Sequence, residues 1–582
     1  MTALGAAPDL GREPPPRRLW WLERAFERAH AAGRPEDDAR LRIFFVLVLF
    51  AAAFVALALG ATKAALFSGL DRPGETAEAA PGARGDIVDR NGRLMATDVI
   101  RYALYVEPKD VADKAATAAA LIQVIPGLDR ARLDKVLDGD GPAYFIAGDL
   151  TPEVKEKIFD LALPGLSFQE QQARAYPLGE MTAHLIGFAS KDGRGLSGVE
   201  RAYDGLLRGR SGAPLVLSID LRVQGALHDE LAAAASHFGV ADAAALVVDV
   251  KTGEILGMSS WPTYDPNRPG QAPPAALVDH AAATVYEPGS VFKVFTLAMG
   301  LDSGVVNVNT TFDVHTPLVL PGQTIHDYDK GDTVLPLWEV FTHSSNIGAA
   351  RMALLAGADR MDRYFHAFGL FAAAPSELAE SARPLTIRKW TPNAVASMAF
   401  GHSISVSPLA IATGMSAILN GGVWRPLTLR ALPAGAAPAP GRRVIQESTS
   451  RTMLDLMRLN VVAGTGKFAE VPGYWVGGKT GTATKLVNGH YSAGKLNLAS
   501  FAAIFPTDGG FDRRRYLVLV MMDEPHAMPE TGGFTTGGAV SAPIVGRIIA
   551  RIAPLLGVQR QPEPPPDPNA PVDAKALVGA RD

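Results

Sequence analysis

The sequence predicts an α+β protein in which an elongated α+β pedestal and a larger domain, an antiparallel sheet with helical layers, follow one N-terminal membrane-spanning helix. Three observations carry this expectation. The stretch from Ile43 to Thr62 is apolar and holds no charged residue. Strand-like and helical runs alternate between residues 84 and 215. From 216 to 556, strand-like segments stand at both ends of a long helical region, which implies one antiparallel sheet whose strands come from distant segments. The 582 residues allow two or three domains with at least one large core.

Composition narrows the function. A net charge of −4 with both signs well represented gives no reason to expect nucleic acid. The absence of cysteine excludes disulfides and thiolate metal sites, and the 12 histidines show no metal-binding spacing such as H-E-x-x-H.

Taken in order, residues 1–42 form a tail in which Leu19, Leu22 and Phe26, with Trp20, Trp21 and Ala25 alongside, are interleaved with arginines. The pattern fits either an amphipathic helix on the membrane face or against a partner, or a solubilising tail with a short helix. Residues 43–62 are long enough to cross a hydrocarbon core of about 30 Å. A cleavable signal peptide is the alternative, with Ala56-Leu57-Ala58 as a cleavage-like site, but the apolar run is long for one and a charged stretch precedes it. Arg24, Arg28, Arg34, Arg40 and Arg42 lie before the span, against Lys63 and Arg72 after it, which places the N-terminus in the cytoplasm and the rest outside. Residues 63–83 read as linker. In 84–215, Ile87-Val88, a turn at Asn91-Gly92 and Leu94 describe a hairpin. Ala115 to Val124 reads as helix, and no catalytic group can be assembled from the region, so it reads as structural. In 216–556, a helix from Leu221 to Ser236 is followed by a hairpin around Lys251-Thr252-Gly253, then by helices from Ser290 to about Leu419. Strands around Trp475–Ala483, Ala499–Phe505 and Tyr516–Met522 and a helix over 542–556 complete the domain. The Pro- and Asp-rich tail 557–582 reads as disordered.

The chemistry centres on Pro288-Gly289-Ser290-Val291-Phe292-Lys293. The Pro-Gly pair opens a helix, and the three-residue spacing puts Ser290 and Lys293 on one face. The helix that follows is apolar nearly all round, which suits burial. A serine hydroxyl becomes a nucleophile when a base removes its proton. Lys293 is such a base once desolvation, the positive end of the helix dipole and a second cation push its pKa down. A second Ser-x-x-Lys, Ser492-Ala493-Gly494-Lys495, carries an internal glycine and reads as a loop. Ser344-Ser345-Asn346 lies at a helix–loop junction and offers a hydroxyl to relay a proton and an amide to hold substrate and lysine. Taken alone, its serines and asparagine are ordinary capping residues. Gly478-Lys479-Thr480-Gly481-Thr482 lies on an apolar strand, with glycines where a ligand backbone can approach. A strand edge offers N–H groups to an extended peptide, and Lys479 with two threonines offers donors to a carboxylate. Lys251-Thr252-Gly253 is explained by its hairpin turn.

Ser-x-x-Lys, Ser-x-Asn and Lys-Thr-Gly in this order resemble the penicillin-binding proteins and β-lactamases. The chain is most similar to class B penicillin-binding proteins of the division-specific (FtsI) type, over roughly residues 84–556. Arg84-Gly85, Asp89-Arg90-Asn91-Gly92, Gly198-Val199-Glu200, Ser218-Ile219-Asp220, Glu287-Pro288-Gly289-Ser290, Gly401-His402-Ser403 through Ser407-Pro408-Leu409, Gly537-Gly538 and Ala542-Pro543 extend the likeness, and Ala410, where the family often has Gln, departs from it. The resemblance implies a peptidoglycan D,D-transpeptidase that cross-links stem peptides at the septum, is inhibited by β-lactams and needs no cofactor. It implies Ser290 as nucleophile, Lys293 as base, Ser344 as proton relay, Asn346 as orienting group and Lys479 as the source of positive charge. Thr480, Gly481 and Thr482 would bind the terminal carboxylate, and the N–H groups of Ser290 and Thr482 would form the oxyanion hole. Elongation enzymes of the class commonly carry Asp in place of Asn346 and Pro in place of Glu287, so both positions favour the division type. The implied setting is the inner membrane, with the catalytic domain periplasmic and an FtsW-type glycosyltransferase and other division proteins as partners. The competing readings are an elongation-specific transpeptidase, a D,D-carboxypeptidase, a β-lactamase, a penicillin sensor and a catalytically idle division scaffold.

Overall fold

A computed structural model of the chain describes Val46, Val48–Val55, Leu57 and residues 84–561, apart from 210–212, 329–333, 434, 488–489 and 493–495. The tail 1–42 with its amphipathic pattern, the linker 63–83, most of the span 43–62 and residues 562–582 lie outside the described residues. Among the described residues no helix is long and apolar enough to cross a membrane. The chain divides after Ala80 into two units, and all that follows concerns the second.

The expected hairpin opens it, with β1 (Ile87–Val88) antiparallel to the start of β2 (Leu94–Val106). Asp89 makes the turn by accepting 2.8 Å bonds from the N–H groups of Asn91 and Arg93, while Gly92 takes a positive φ. Three short helices follow, each with a side-chain cap: α1 (Lys114–Val124) on Asp113, α2 (Arg130–Leu137) on Asp129 and α3 (Pro152–Asp160) on Thr151. With β3 (Tyr144–Leu150) and β4 (Leu166–Ala175), both paired to β2, they enclose a core of Leu104, Val106, Leu121, Leu133, Ile146 and Ile158. A short strand, β5 (Leu215–Val216), returns parallel to β1 and leads into the larger domain. The sequence landmarks at 84, 174 and 198–200 meet in one buried network. Glu200 is fully buried and pairs with Arg84 Nε at 2.5 Å and Arg174 Nε at 2.7 Å, while Asp204 and Asp98 accept from the Nη1 groups of Arg84 and Arg174, and the carbonyls of Glu200 and Gly85 accept from their Nη2 groups. They tie the segments at 84, 98, 174 and 200–204 together.

In the larger domain the elements that build the sheet and position the site include α4 (Leu221–Phe238), β6 (Asp242–Asp249), β7 (Ile255–Trp261), α5 (Lys293–Asp302), α6 (Asn346–Ala356) and α7 (Pro408–Leu419). They are followed by α8 (Glu447–Ala463), β8 (Gly477–Thr484), β9 (Asn497–Phe505), β10 (Tyr516–Asp523) and α9 (Ser541–Ile552). The expected helix over 542–556 stops at Ile552, just before Pro554, which lacks the N–H a further turn requires. Two short antiparallel pairs, Leu318–Leu320 with Gln323–Ile325 and Thr311–Asp313 with Val334–Pro336, interrupt the stretch read as helical.

The sheet is antiparallel in the order β8-β9-β10-β6-β7, so the first and last segments of the domain share it. Every residue from Tyr516 to Met522 is buried, which requires cover on both faces. Leu517, Leu519 and Met521 join the core that contains α5 and α7, while Tyr516, Val518, Val520 and Met522 join the one built by α4 and α9. The two ends of the sheet differ. At β7 the buried side chain of Gln224 mimics a neighbouring strand, donating from Nε2 to Met258 O at 2.9 Å and accepting at Oε1 from Met258 N at 2.8 Å. The opposite edge strand, β8, carries Lys479-Thr480-Gly481-Thr482.

Candidate active site

Ser290 lies in a 3₁₀ turn, Gly289–Phe292, and Lys293 begins α5 directly after it. The expected common helix face is thus made by a tight turn running into a helix. Gly289 has φ +56°, and a Cβ on it would stand 2.7 Å from Thr482 O and 3.2 Å from Thr482 N. A side chain there would push the serine turn off β8.

Lys293 is wholly buried. Its Nζ donates to Asn346 Oδ1 at 2.8 Å, to Ser344 Oγ at 3.2 Å and to the Ser344 carbonyl. The Ser290 hydroxyl is not among these partners. Lys479, also wholly buried, donates from Nζ to the same Ser344 Oγ at 2.9 Å and to Thr480 O at 3.2 Å. One serine hydroxyl therefore stands between two amines. Burial pushes Lys293 down to about 7, against the opposing pull of Asp327. Burial and the repulsion of Lys293 also push Lys479 well below the usual lysine range. Once Lys293 is neutral, its repulsion of Lys479 disappears.

Ser344 holds its position in a left-handed backbone conformation, φ +60°, between the helix Leu337–Thr342 and α6. For a non-glycine residue this is strained geometry of the kind that gathers at functional sites. Ser345 is the ordinary capping residue its sequence suggests, accepting from Gly348 N at 2.9 Å. Asp327 is a residue that sequence reasoning missed. Its carboxylate accepts from Asn346 N at 2.6 Å, Ile347 N at 2.9 Å and Ser345 Oγ at 2.5 Å, so it anchors the start of α6 and with it Asn346. No motif marks it.

On β8 the reading of the glycines needs correction. A Cβ on Gly481 would lie 2.2 Å from Ser500 Oγ and 2.7 Å from Pro288 O, and one on Gly478 would lie 2.5 Å from the Phe501 ring. The space these glycines leave is filled by the chain itself, not kept for a ligand. Gly481 in particular lets β8 touch the Pro288-Gly289 turn, which brings Thr482 to Ser290. Thr480 Oγ1 is paired with Thr465 Oγ1 at 2.8 Å, and Thr465 in turn donates to Asn460 Oδ1 at 3.2 Å. Thr482 Oγ1 accepts from Gly537 N at 3.1 Å. No sequence motif marks Thr465 or Asn460.

Ser290, Lys293, Ser344, Asn346, Lys479, Thr480, Gly481 and Thr482 are thus brought together. The two decoys stand apart from them. Gly253, at φ +80°, closes the β6–β7 turn by donating to Asp249 O at 2.8 Å. Ser492 Oγ accepts from Leu496 N at 2.8 Å in a loop, and Lys495 lies outside the described residues.

Residues 243–550 match the penicillin binding protein transpeptidase domain, and residues 79–218 match the penicillin-binding protein dimerisation domain. The chain is 51% identical over 570 residues to the probable peptidoglycan D,D-transpeptidase FtsI of Caulobacter vibrioides, covering 97% of this chain and 96% of that one. It is 31% identical over 512 residues to the peptidoglycan D,D-transpeptidase FtsI of Escherichia coli K12, covering 82% and 84%. Among solved structures, penicillin binding protein 3 of Mycobacterium tuberculosis complexed with aztreonam superposes with a TM-score of 0.64 at 25% identity, over 83% of this chain and 98% of that one.

Proposed function

The chain belongs to the class B penicillin-binding proteins of the FtsI type, and from this we propose how its residues carry out peptidoglycan D,D-transpeptidation. Ser290 Oγ attacks the carbonyl of the D-Ala-D-Ala bond of a stem peptide. Lys293, neutral at its lowered pKa, takes the hydroxyl proton. The developing oxyanion is held by the N–H groups of Ser290 and Thr482, where the serine turn meets β8. As the C–N bond breaks, Ser344 passes a proton to the leaving amine, and D-alanine departs to leave an ester on Ser290. The amine of a neighbouring stem then attacks that ester, forms the cross-link and returns the proton to serine. Asn346 orients Lys293, Lys479 keeps the remaining positive charge, and Thr480 and Thr482 bind the terminal carboxylate beside Gly481. A β-lactam enters by the same attack, and its ring-opened ester hydrolyses slowly.

The observation that carries this reading is the Ser344 hydroxyl, within reach of both buried amines at 3.2 and 2.9 Å. No metal or organic cofactor has a part in it. We place the pedestal at 84–215 and the catalytic domain at 216–556. We also place a membrane anchor at 43–62 with a cytoplasmic N-terminus, and a septal role beside an FtsW-type polymerase and other division proteins.

The test supplies full-length protein in detergent with a stem pentapeptide ending in D-Ala-D-Ala and an amine acceptor. Cross-linked product with release of one D-alanine per cross-link is expected, blocked by penicillin. Release of D-alanine without cross-links would make the protein a carboxypeptidase, and no release would favour the scaffold. In cells, depletion should give filaments and a tagged copy should gather at midcell; round, swollen cells would assign it to elongation.

A further inference from the structure

Glu287, immediately ahead of the Pro-Gly turn, has no part in the roles above. Its side chain is only 13% exposed, its Oε1 accepts from Ser403 N at 2.9 Å, and its Oε2 lies 3.3 Å from His402 Nδ1. Ser403 has φ +62°, a left-handed conformation that a non-glycine residue adopts only when its surroundings impose it. The same loop supports the serine turn at several points. Gly401 O accepts from Gly289 N at 3.3 Å, and a Cβ on Gly401 would stand 2.2 Å from Gly289 O. Tyr286 and Val406 exchange both backbone hydrogen bonds at 3.0 Å, and Ser405 does the same with Leu385 at 2.8 and 2.9 Å. Residues 401–406 are therefore the bed on which 286–290 lie, and Glu287 is the side chain that ties the two segments together.

We infer that Glu287 is a positioning residue for acylation, holding Ser403 in its strained backbone so that Gly401 stays against Gly289 and Ser290 keeps its place in the turn ahead of Lys293. The inference rests on reading Ser290 as the nucleophile. A left-handed backbone is strained for a non-glycine residue, and a carboxylate accepting from its N–H offsets that strain because charge-assisted bonds are stronger than neutral ones. With the carboxylate gone, the loop is free to relax and the Gly289 turn loses its stop. Misplacing reacting groups by about 1 Å lowers the rate by up to roughly 100-fold without weakening binding remote from the reacting atoms. Glu287 touches neither reacting atom; it acts through Gly401 and Gly289.

The test is stopped-flow acylation of the full-length protein by a chromogenic cephalosporin, resolving non-covalent binding from the acylation step. Glu287→Ala should slow the acylation step roughly tenfold or more while the binding constant moves less than about twofold. Glu287→Gln, whose amide oxygen still accepts from Ser403 N, should recover most of the rate. Ser403→Gly placed on Glu287→Ala should also restore it, since glycine adopts the left-handed conformation without strain. A positioning role predicts both rescues; a purely stabilising carboxylate predicts a lower melting temperature with an unchanged acylation step. Wild-type acylation by Glu287→Ala, a loss confined to binding, or failure of both rescues would overturn the inference. Ser290→Ala is run alongside: if it still acylates, the reading of Ser290 is what has failed. If it is inert while Glu287→Ala reacts normally, only the assignment of Glu287 falls.

Discussion

At the scale of single residues, the site works by taking two lysines out of water. Lys293 falls from 10.5 to about 7 because burial disfavours the ammonium more than the charge of Asp327 favours it. The sign of the pH dependence follows. In the proposed mechanism the base is the unprotonated amine, so acylation should climb about tenfold per pH unit below 7 and level off above it. A penicillin acylation profile that is flat, or that falls between pH 6 and 8, contradicts the assignment. Asp327 allows a sharper prediction. Its negative charge raises the Lys293 pKa, so Asp327→Asn, which keeps an oxygen for the α6 N–H groups, should move the rising limb to lower pH. A limb that stays in place or moves to higher pH would show that the carboxylate does not act on Lys293.

At the scale of elements, the site depends on how closely β8 approaches the serine turn. Gly481→Ala forces a Cβ against Ser500 Oγ and Pro288 O, so it should cost about 1–3 kcal/mol of stability by overpacking and slow acylation as well. Thermal unfolding with penicillin labelling reads both, and an unperturbed variant would mean that the contact is not needed. At the opposite edge, Gln224→Ala leaves both polar groups of Met258 unpaired and should cost a similar 1–3 kcal/mol with acylation retained. These contrasts mark what the sequence reveals. Ser290, Lys293, Ser344, Asn346 and Lys479 were legible because a spacing or a strand context marks them. The strands Ala499–Phe505 and Tyr516–Met522 were legible because continuous apolar runs require a two-sided core. Asp327, Thr465, Asn460 and Gln224 were not, since each reaches its partner by tertiary packing of polar groups that no local pattern distinguishes. Gly478 and Gly481 were misread for a related reason: a glycine shows that something comes close, and only the packing shows that the chain's own Phe501, Ser500 and Pro288 do.

At the scale of the whole molecule, the region matching the dimerisation domain is joined to the region matching the transpeptidase domain through partly buried polar contacts. Gly198 N donates to Glu380 Oε1 at 2.9 Å, and Asn267 brackets Tyr176 by accepting from its N–H at 2.9 Å and donating to its carbonyl at 3.0 Å. Glu200 holds two guanidiniums inside, so Glu200→Ala strands buried charge and should cost about 3–5 kcal/mol. A melting temperature within a degree of wild type would contradict that. The proposed topology rests on the arginines before Ile43. A reporter active only outside the cytoplasm should work after Ala83 and fail before Arg40, whereas a mature N-terminus near Leu59 would show cleavage instead. The central claim is that one serine carries the chemistry, and peptide mapping by mass spectrometry after exposure of the full-length protein to penicillin tests it most directly. The adduct should sit on the peptide containing Ser290, disappear in Ser290→Ala and persist in Ser492→Ala; an adduct on another residue, or one that survives Ser290→Ala, would contradict it.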